Sequence, residues 1–252
     1  MHSTIRSVLS SMRVRGWLFG LIISFGSFNV AQADSLRAAV ASNFMSVAAH
    51  LVAEFEADSG HSVTLIGGST GKHALQIQHG LAVDILLAAD SVRPALLEQQ
   101  GLTVPNTRIT YALGRLALWQ PKGETPGPET LSNLSGATLA LANPKLAPYG
   151  LAAHQVLTDL DPTARVRRVY GENVAQAYQF VFSGNAQLGL VAYAQVITQP
   201  RASYWLVPKS LHTPIEQQAV LLKDTHAGRV FWRYLQSDKA LELMREHGYD
   251  TP

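Results

Sequence analysis

A short polar loop at residues 67–73, Gly-Gly-Ser-Thr-Gly-Lys-His, contains residue types that bind phosphoryl groups or transfer acyl groups. A P-loop nucleotide site requires G-x-x-x-x-G-K-[ST]. Here Ile66 stands where the first glycine belongs, and His73 replaces the hydroxyl residue that would hold magnesium. The loop therefore lacks two features that a nucleotide site needs.

The same loop contains Ser69-x-x-Lys72, the first element of a penicillin-recognising serine hydrolase site. In that chemistry Ser69 is the nucleophile and Lys72 its base. Two further elements, S-D-N and K-T-G, are needed, but residues 132–134 (Ser-Asn-Leu) and 223–225 (Lys-Asp-Thr) match neither of them. We keep an exported serine hydrolase as the alternative from a different functional class.

The spacing of the histidines along the sequence does not indicate a metal site. No pair has the H-x-x-x-H separation that would place two ligands one helical turn apart. The spacing therefore predicts no direct protein–metal ligands. We also predict no catalytic residues and no resident cofactor. The histidines beyond residue 33 are His50, His61, His73, His79, His154, His212, His226 and His247.

Two series of alternating strands and helices must position the polar loops, and this pattern predicts an α/β fold with mostly parallel sheets. We expect a first lobe at 34–115, a second lobe at 116–216 and a return to the first lobe at 217–252. An extended run at 110–119 and a Pro/Gly-rich connection at 121–128 separate the series. Strands are predicted at 36–41, 63–66, 83–88, 137–141, 165–169, 188–193 and 217–222, and helices at 44–55, 72–79, 149–160, 174–182, 229–235 and 238–245.

Four strand-to-helix junctions share one chemistry, because each places hydroxyl or amide side chains at the start of a helix. The first N–H groups of a helix have no partner within it, so a helix start attracts anions. Any one junction is typical of an ordinary cap, whereas four around one cleft would form an anion site. The junctions lie at 42–43, 69–71, 148–150 and 172–174.

The first 33 residues have the features of a secretory signal. Arg6, Arg13 and Arg15 precede an apolar run at 17–30, and Ala31-Gln32-Ala33 is a typical cleavage sequence. We expect cleavage near Ala33 and export to the periplasm, with an uncleaved membrane anchor as the alternative.

Removing this segment changes the charge balance from 20 basic and 18 acidic residues to 17 and 18. The remaining chain has no basic field that would indicate nucleic-acid binding. It has no cysteine, so stability must come from burial of a core.

Over residues 36–249 the sequence resembles the periplasmic molybdate-binding proteins of ABC uptake systems, a branch of the two-lobed solute-binding proteins. No single motif carries this resemblance, but the order and spacing of the motifs are specific. They are AVASNF at 39–44, EFEADSGHSV at 54–63, GSTGKHALQI at 68–77, DILLAAD at 84–90, ANPKLAPYGLAA at 142–153, GENVAQAYQFV at 171–181, AQLGLVA at 186–192 and QQAVLLK at 217–223.

The resemblance implies a type II periplasmic binding protein fold with a tetrahedral oxyanion held in a cleft between the lobes. It assigns the first contact to Ser42 or Asn43 and the second to Thr70, with Ser69 as its neighbour. Tyr149 stands where the family uses a backbone N–H, and its phenol is a further candidate contact. The remaining candidates are the N–H of Val174 and the side chain of Tyr193, which lies one residue after the family's tyrosine position at Ala192.

The function implied by the resemblance is capture of molybdate, and of tungstate with it, for an inner-membrane ABC permease. The implied protein is a monomeric binding protein and not an enzyme. Another oxyanion, such as sulfate or a substituted arsenic or phosphorus acid, is the alternative within this class. Lys72 is expected to be solvated, and Glu172 to point away from the ligand.

Overall fold

The computed structural model describes residues 34–252, except 133, 135 and 161–165. The predicted signal at 1–33 and the first residue of the strand predicted at 165–169 lie outside the described residues. The described chain is built around two five-stranded sheets. We call the parts built around the two sheets the first lobe and the second lobe.

The first sheet has the strand order β2-β1-β3-β10-β4 and the second has the order β7-β6-β8-β5-β9. In the first sheet the strands are β1 (Ser35–Ala41), β2 (Ser62–Gly68), β3 (Ile85–Ala88), β4 (Ile109–Gly114) and β10 (Ile215–Leu221). In the second they are β5 (Leu116–Trp119), β6 (Thr138–Ala142), β7 (Arg167–Gly171), β8 (Leu188–Ala192) and β9 (Tyr204–Leu206).

Helices cover both sheets. They are α1 (Met45–Ser59), α2 (Thr70–Gln78), α3 (Val92–Gln99), α4 (Pro128–Ser132), α5 (Pro148–Leu160), α6 (Val174–Phe182), α7 (His226–Tyr234) and α8 (Asp238–Glu246). Short 3₁₀ turns lie at Tyr193–Gln195, Arg201–Ser203 and Lys209–Leu211. No described helix is both long enough and apolar enough to cross a membrane.

Both sheets are mixed, and they repeat one plan. β1 pairs in parallel with β2 and β3, and β6 pairs in parallel with β7 and β8. One reversed strand in each sheet, β10 or β5, pairs antiparallel with both of its neighbours. All other strands of a sheet point the same way, so their carboxyl ends meet at one edge, where ligands bind in open α/β sheets.

Helix α1 shows how local sequence determines an element of this fold. Its buried side chains Val47, Ala48, Leu51, Val52 and Phe55 recur at helical spacing and form one apolar stripe. Gly60 ends it with φ of 72°, a left-handed conformation that glycine adopts without strain. The prediction that residues 42–43 cap this helix is wrong. Phe44 occupies the cap position, without a side-chain cap bond.

The predicted extended run at 110–119 forms two strands in different sheets. β4 ends at Gly114 and β5 begins at Leu116, so the chain crosses between lobes at Arg115. It returns between β9 and β10, and an antiparallel bridge joins Leu113 to Asp250 near the end of the chain. These segments form the hinge side of the cleft. The lobe limits predicted at 115/116 and 216/217 stay a prediction about which parts move together.

Candidate functional site

A small cavity lies between the lobes, where all four predicted junctions meet. Its volume, measured as the space open to the centre of a water molecule, is about 10 Å³. The loops after β1 and β2 approach it from the first lobe, and those after β6 and β7 approach it from the second. Its lining consists of Ala41, Ser42, Asn43, Gly68, Ser69, Thr70, Ala89, Ala147, Pro148, Tyr149, Asn173 and Val174.

Three hydroxyl groups of the first lobe line this cavity. Thr70 Oγ1 accepts a hydrogen bond from the Ala89 N–H at 2.9 Å. Ser69 Oγ accepts from the Lys72 N–H at 3.4 Å, as the N-cap of α2. Because an acceptor bond occupies a lone pair and not the hydroxyl proton, both groups keep that proton to donate to a ligand.

The hydroxyl of Ser42 connects the two lobes. Its oxygen accepts from the backbone N–H of Ala175, in the first turn of α6, at 3.4 Å. Its proton is also left for a ligand, so an anion bound to Ser42 would lie directly against the contact between the lobes.

Backbone N–H groups supply the remaining donors. Those of Asn43, Thr70, Tyr149 and Val174 have no hydrogen-bond partner among the described residues. The last three lie in the first turns of α2, α5 and α6, where the helix itself provides no acceptor. Unpaired donors that surround a small cavity are suited to a small ion with many acceptor oxygens.

The side chain of Asn43 does not point at the ligand position. Its amide nitrogen donates to Gln217 Oε1 at 2.8 Å and to Tyr249 Oη at 3.0 Å. The Tyr249 hydroxyl in turn donates to the Asn43 carbonyl at 2.9 Å. Both amide protons of Asn43 are therefore used on the hinge side, which leaves its backbone N–H as the candidate contact.

The ring of Tyr149 is fully buried beneath the cavity. Its phenol approaches Gly114 so closely that a Cβ there would collide with it. Burial, followed by the nearby phenol of Tyr249, raises the pKa of Tyr149 well above its ordinary value, so this phenol is neutral at physiological pH. The phenol oxygen has no well-formed hydrogen bond to any residue in the described part of the chain.

The structure places Tyr193 away from the cavity. This residue begins a 3₁₀ turn directly after β8, and its ring packs 5.5 Å from the ring of Tyr204. It also lies against Gly248, on the hinge side. The one-residue shift from Ala192 is the physical reason, because neighbouring positions at a strand end point in different directions.

No charged side chain belongs to the residues described as lining the cavity. An ionic contact between the lobes lies at its mouth, where Lys72 Nζ is 2.8 Å from Glu172 Oε1. Lys72 is exposed and lies outside the cavity lining, as expected for a lysine that is solvated rather than bound to the ligand, and the ion pair that joins the lobes is an additional contact. Glu172 is directed to this lysine.

The side chain of His73 packs against the backbone of the first lobe at Val40 and Gly68. It is 2 % exposed, and its Nε2 lies 3.3 Å from the Val40 carbonyl. A Cβ at Gly68 would lie 2.6 Å from that nitrogen, so only glycine fits there. Burial is the main cause that lowers the pKa of His73.

The geometry does not support hydrolase chemistry at Ser69. The serine hydroxyl is bonded to the backbone N–H of Lys72, whereas the lysine ammonium is paired with Glu172. A base must lie within hydrogen-bond reach of the proton that it removes.

Sequence reasoning missed Gln217 and Tyr249, which hold Asn43, and Leu146, whose carbonyl accepts from the Gly71 N–H across the cleft at 2.9 Å. For Leu146 a signal was available, because a small residue such as Gly71 permits close backbone approach. Gln217 and Tyr249 lie 174 and 206 residues from Asn43 along the chain, and no local pattern relates them to it.

Comparison with known proteins gives consistent relatives. The chain is 42% identical to the molybdate-binding protein ModA of Azotobacter vinelandii over 232 residues, which cover 87% of this chain and 91% of that protein. It is 37% identical to the ModA of Rhodobacter capsulatus over 246 residues, covering 94% and 97%. These relatives confirm the resemblance seen in the sequence.

Solved structures agree with this result. The periplasmic molybdate-binding protein of Azotobacter vinelandii matches with a TM-score of 0.81 at 35% identity, over 86% of this chain and 99% of that one. The sulfate-binding protein SubI of Mycobacterium tuberculosis matches with a TM-score of 0.72 at 15% identity, over 86% and 87%, which shows a shared fold. The predicted two-lobed type II fold is confirmed.

The family model for bacterial extracellular solute-binding proteins matches residues 36–250, nearly all of the described chain. The relatives are binding proteins, which confirms the prediction that this chain is not an enzyme. The chain therefore belongs to the bacterial extracellular solute-binding proteins.

Proposed function

We propose that this protein captures molybdate, and tungstate with it, in the cavity between its lobes and delivers the ion to an ABC permease. The observation that carries the proposal is the cavity's lining of neutral donors. Hydroxyls of Ser42, Ser69 and Thr70 face the same space as unpaired N–H groups at helix starts. Two relatives with 42% and 37% identity are named as molybdate-binding proteins, which supports the choice of ion.

The size of the cavity favours an inorganic ion. Its volume of about 10 Å³ is far below the roughly 300–1,000 Å³ typical of pockets for organic ligands. An ion that fills this space can contact donors from both lobes at once, whereas a smaller ion such as sulfate leaves some of them unpaired. Each unpaired buried donor costs about 1–3 kcal/mol, so size becomes a basis for selectivity.

The donors also favour an ion without protons. A fully ionised tetrahedral dianion accepts hydrogen bonds at every oxygen, whereas hydrogen phosphate carries an O–H that needs an acceptor. The hydroxyl oxygens of Ser69 and Thr70 each use one of their two lone pairs to accept a bond from the protein. Fewer acceptors are therefore left for a proton of the ion, and this lowers the affinity for a protonated ion.

Binding is proposed to hold the lobes closed. Residues 34–115 with 217–252 would move as one unit and residues 116–216 as the other, about the crossings at Arg115 and before β10. The ion's charge is stabilised by the partial positive charge at the helix starts, which act only when both lobes surround it. The closed form is then the state presented to the permease.

Titration calorimetry with molybdate, tungstate, sulfate and phosphate tests the proposal on the protein that begins at Asp34. We expect one molybdate or tungstate ion per chain, with sulfate and phosphate weaker by at least tenfold, a difference of about 1.4 kcal/mol. Tight binding of sulfate with no heat from molybdate would contradict the assignment of the ion.

We further propose that the protein acts in the periplasm as a monomer without a resident cofactor. The signal at 1–33 would be removed near Ala33 during export. Intact mass of the protein purified from detergent-solubilised whole cells should correspond to a chain that begins at Asp34. A mass that retains residues 1–33 would instead indicate the membrane anchor.

A further inference from the structure

The contacts that cross the cleft outside the cavity carry a further inference, which rests on the proposed function. At its mouth, Lys72 on α2 of the first lobe pairs with Glu172, which precedes α6 of the second lobe, with Nζ and Oε1 2.8 Å apart. We call these two residues the interlobe pair. We propose that the interlobe pair contributes to the stability of the closed state and slows release of the bound ion.

The pair is positioned by backbone contacts on either side. The Gly71 N–H, next to Lys72, donates to the Leu146 carbonyl of the second lobe at 2.9 Å. A Cβ at Gly71 would lie 2.8 Å from that carbonyl oxygen, so the backbones meet without space for a side chain. The lysine is thus brought to the opposite lobe only when the backbones approach this closely.

Helix electrostatics indicate that Lys72 is not placed to stabilise its own helix. It lies in the first turn of α2, where the partial positive charge of the helix start disfavours a cation. Glu172 lies directly before Asn173, the N-cap of α6, where an anion is favoured. When the lobes close, Lys72 pairs with the carboxylate of Glu172, whereas its own helix contains no carboxylate.

The pair also changes the field at the ion. Glu172 is adjacent to Asn173 and two residues from Val174, both of which line the cavity. Its carboxylate would repel a bound dianion, and Lys72 neutralises it at 2.8 Å. Loss of the lysine therefore removes the contact and leaves a repelling charge, whereas loss of the glutamate removes the contact and the repulsion together.

The expected effects are modest, because the side chains of Lys72 and Glu172 are 48% and 36% exposed. Exposed ion pairs typically change an equilibrium constant about 1.5- to 5-fold. We expect Lys72→Met to accelerate release of bound molybdate about 3- to 5-fold and Glu172→Gln about 1.5- to 3-fold. The double variant should resemble Glu172→Gln, because the repelling carboxylate and the contact are then both absent.

Stopped-flow measurement of release, followed by tryptophan fluorescence, tests the proposal at low and high salt. Wild-type release should become faster as salt rises, and this salt dependence should be weaker in Lys72→Met. The matched control is Lys239→Met, which removes a pair to Asp58 of the same 2.8 Å length within the first lobe. Equal release rates for wild type and Lys72→Met, or equal effects of the Lys72 and Lys239 variants, would overturn the proposal.

A second measurement separates this inference from the choice of ligand. The chain has no cysteine, so labels at Gln99→Cys and Asn185→Cys, exposed on the first and second lobes, report the distance between lobes without ligand. Lys72→Met should shift this distance distribution toward the open form. An unchanged distribution would overturn the role of the pair. Failure of wild type to bind any of the four oxyanions, with the shift present, would contradict only the proposed function.

Discussion

The two lobes contribute equivalent loops to the cavity but different kinds of donor. The first lobe supplies side-chain hydroxyls, at Ser42, Ser69 and Thr70, in addition to backbone N–H groups. In the second lobe the side chains of Tyr149 and Val174 are buried in its core, so its candidate donors are the N–H groups at the starts of α5 and α6.

This difference determines how substitutions act. In the first lobe a side-chain change removes a donor directly. In the second lobe the donors belong to the backbone, so a substitution acts only when it moves a helix start. The first lobe is therefore the place to alter selectivity, and the second is the place where packing maintains donor geometry.

The largest effect is expected from Gly71→Ala. This variant tests whether the donors of both lobes must surround the ion at the same time. The new Cβ would lie 2.8 Å from the Leu146 carbonyl oxygen and 3.1 Å from its Cα, so the lobes cannot close fully. Overpacking of this kind costs roughly 1–3 kcal/mol, or about 5- to 160-fold in affinity for molybdate by calorimetry.

Gly67→Ala is the matched control for that variant. Its Cβ would meet only the flexible side chain of Met45, with the sulfur at 3.1 Å, so affinity should change less than about threefold. Unaltered binding by Gly71→Ala, with normal thermal unfolding, would show that close backbone approach is not required.

A comparable effect is expected from Thr70→Ala, which removes a first-lobe hydroxyl. The ion loses a donor and the Ala89 N–H loses its acceptor, so affinity should fall by roughly 1–3 kcal/mol. Thr70→Ser keeps the oxygen and should bind within about threefold of wild type. Thr70→Ala with wild-type affinity would remove Thr70 from the site.

Acid should weaken the first lobe through His73. Burial lowers the pKa of this histidine below its ordinary value of 6.5. As the pH falls, the unfolded chain therefore binds a proton at a higher pH than the folded chain does. Titration of this histidine leaves the free energy of unfolding unchanged above about pH 6.5 and lowers it below that pH. The positive charge of Lys72, on the same helix, also lowers the pKa of His73.

Urea unfolding between pH 5 and 8 measures this dependence. His73→Gln should flatten the loss of stability below about pH 6.5, whereas His154→Gln, at an exposed position on second-lobe helix α5, should leave it unchanged. The same pH dependence in wild type and His73→Gln would refute the assignment to this histidine.

The smallest effect is expected from Tyr149→Phe in the second lobe. The buried phenol has no well-formed hydrogen bond among the described residues, so removing it should leave the free energy of unfolding equal or slightly higher. Affinity for molybdate should change less than about twofold, because the backbone N–H is retained. A loss above tenfold in calorimetry would assign the phenol as a direct contact.

Elements with strong local signals were predicted almost to the residue. Helix α6 begins at Val174 and ends at Phe182, with Asn173 as its cap, as the sequence indicates. The Asn173 side chain accepts from the Gln176 N–H at 3.0 Å, a bond made within one turn. Such local bonds depend on few residues, which is why pattern and cap suffice to predict them.

Elements decided by distant contacts were predicted less well. The run at 110–119 has one extended pattern, yet Gly114 and Leu116 belong to different sheets because their partners are β10 and β8. Asn43 has the composition of a cap but bonds to Gln217 and Tyr249, far along the chain. A side-chain amide bonds to suitable partners within its reach, and only folding brings Gln217 and Tyr249 within reach of Asn43.

The sequence by itself determined the α/β pattern, the donor-rich loops at four helix starts and the family to which the chain belongs. These features follow from local periodicity, capping chemistry and the order of short motifs. The tertiary structure decided which atoms of those loops face the cavity, and that Lys72 meets Glu172 across its mouth. The physical reason is that each loop has several hydrogen-bond donors. The rest of the fold pairs some of these donors, and only the donors left unpaired can bind a ligand.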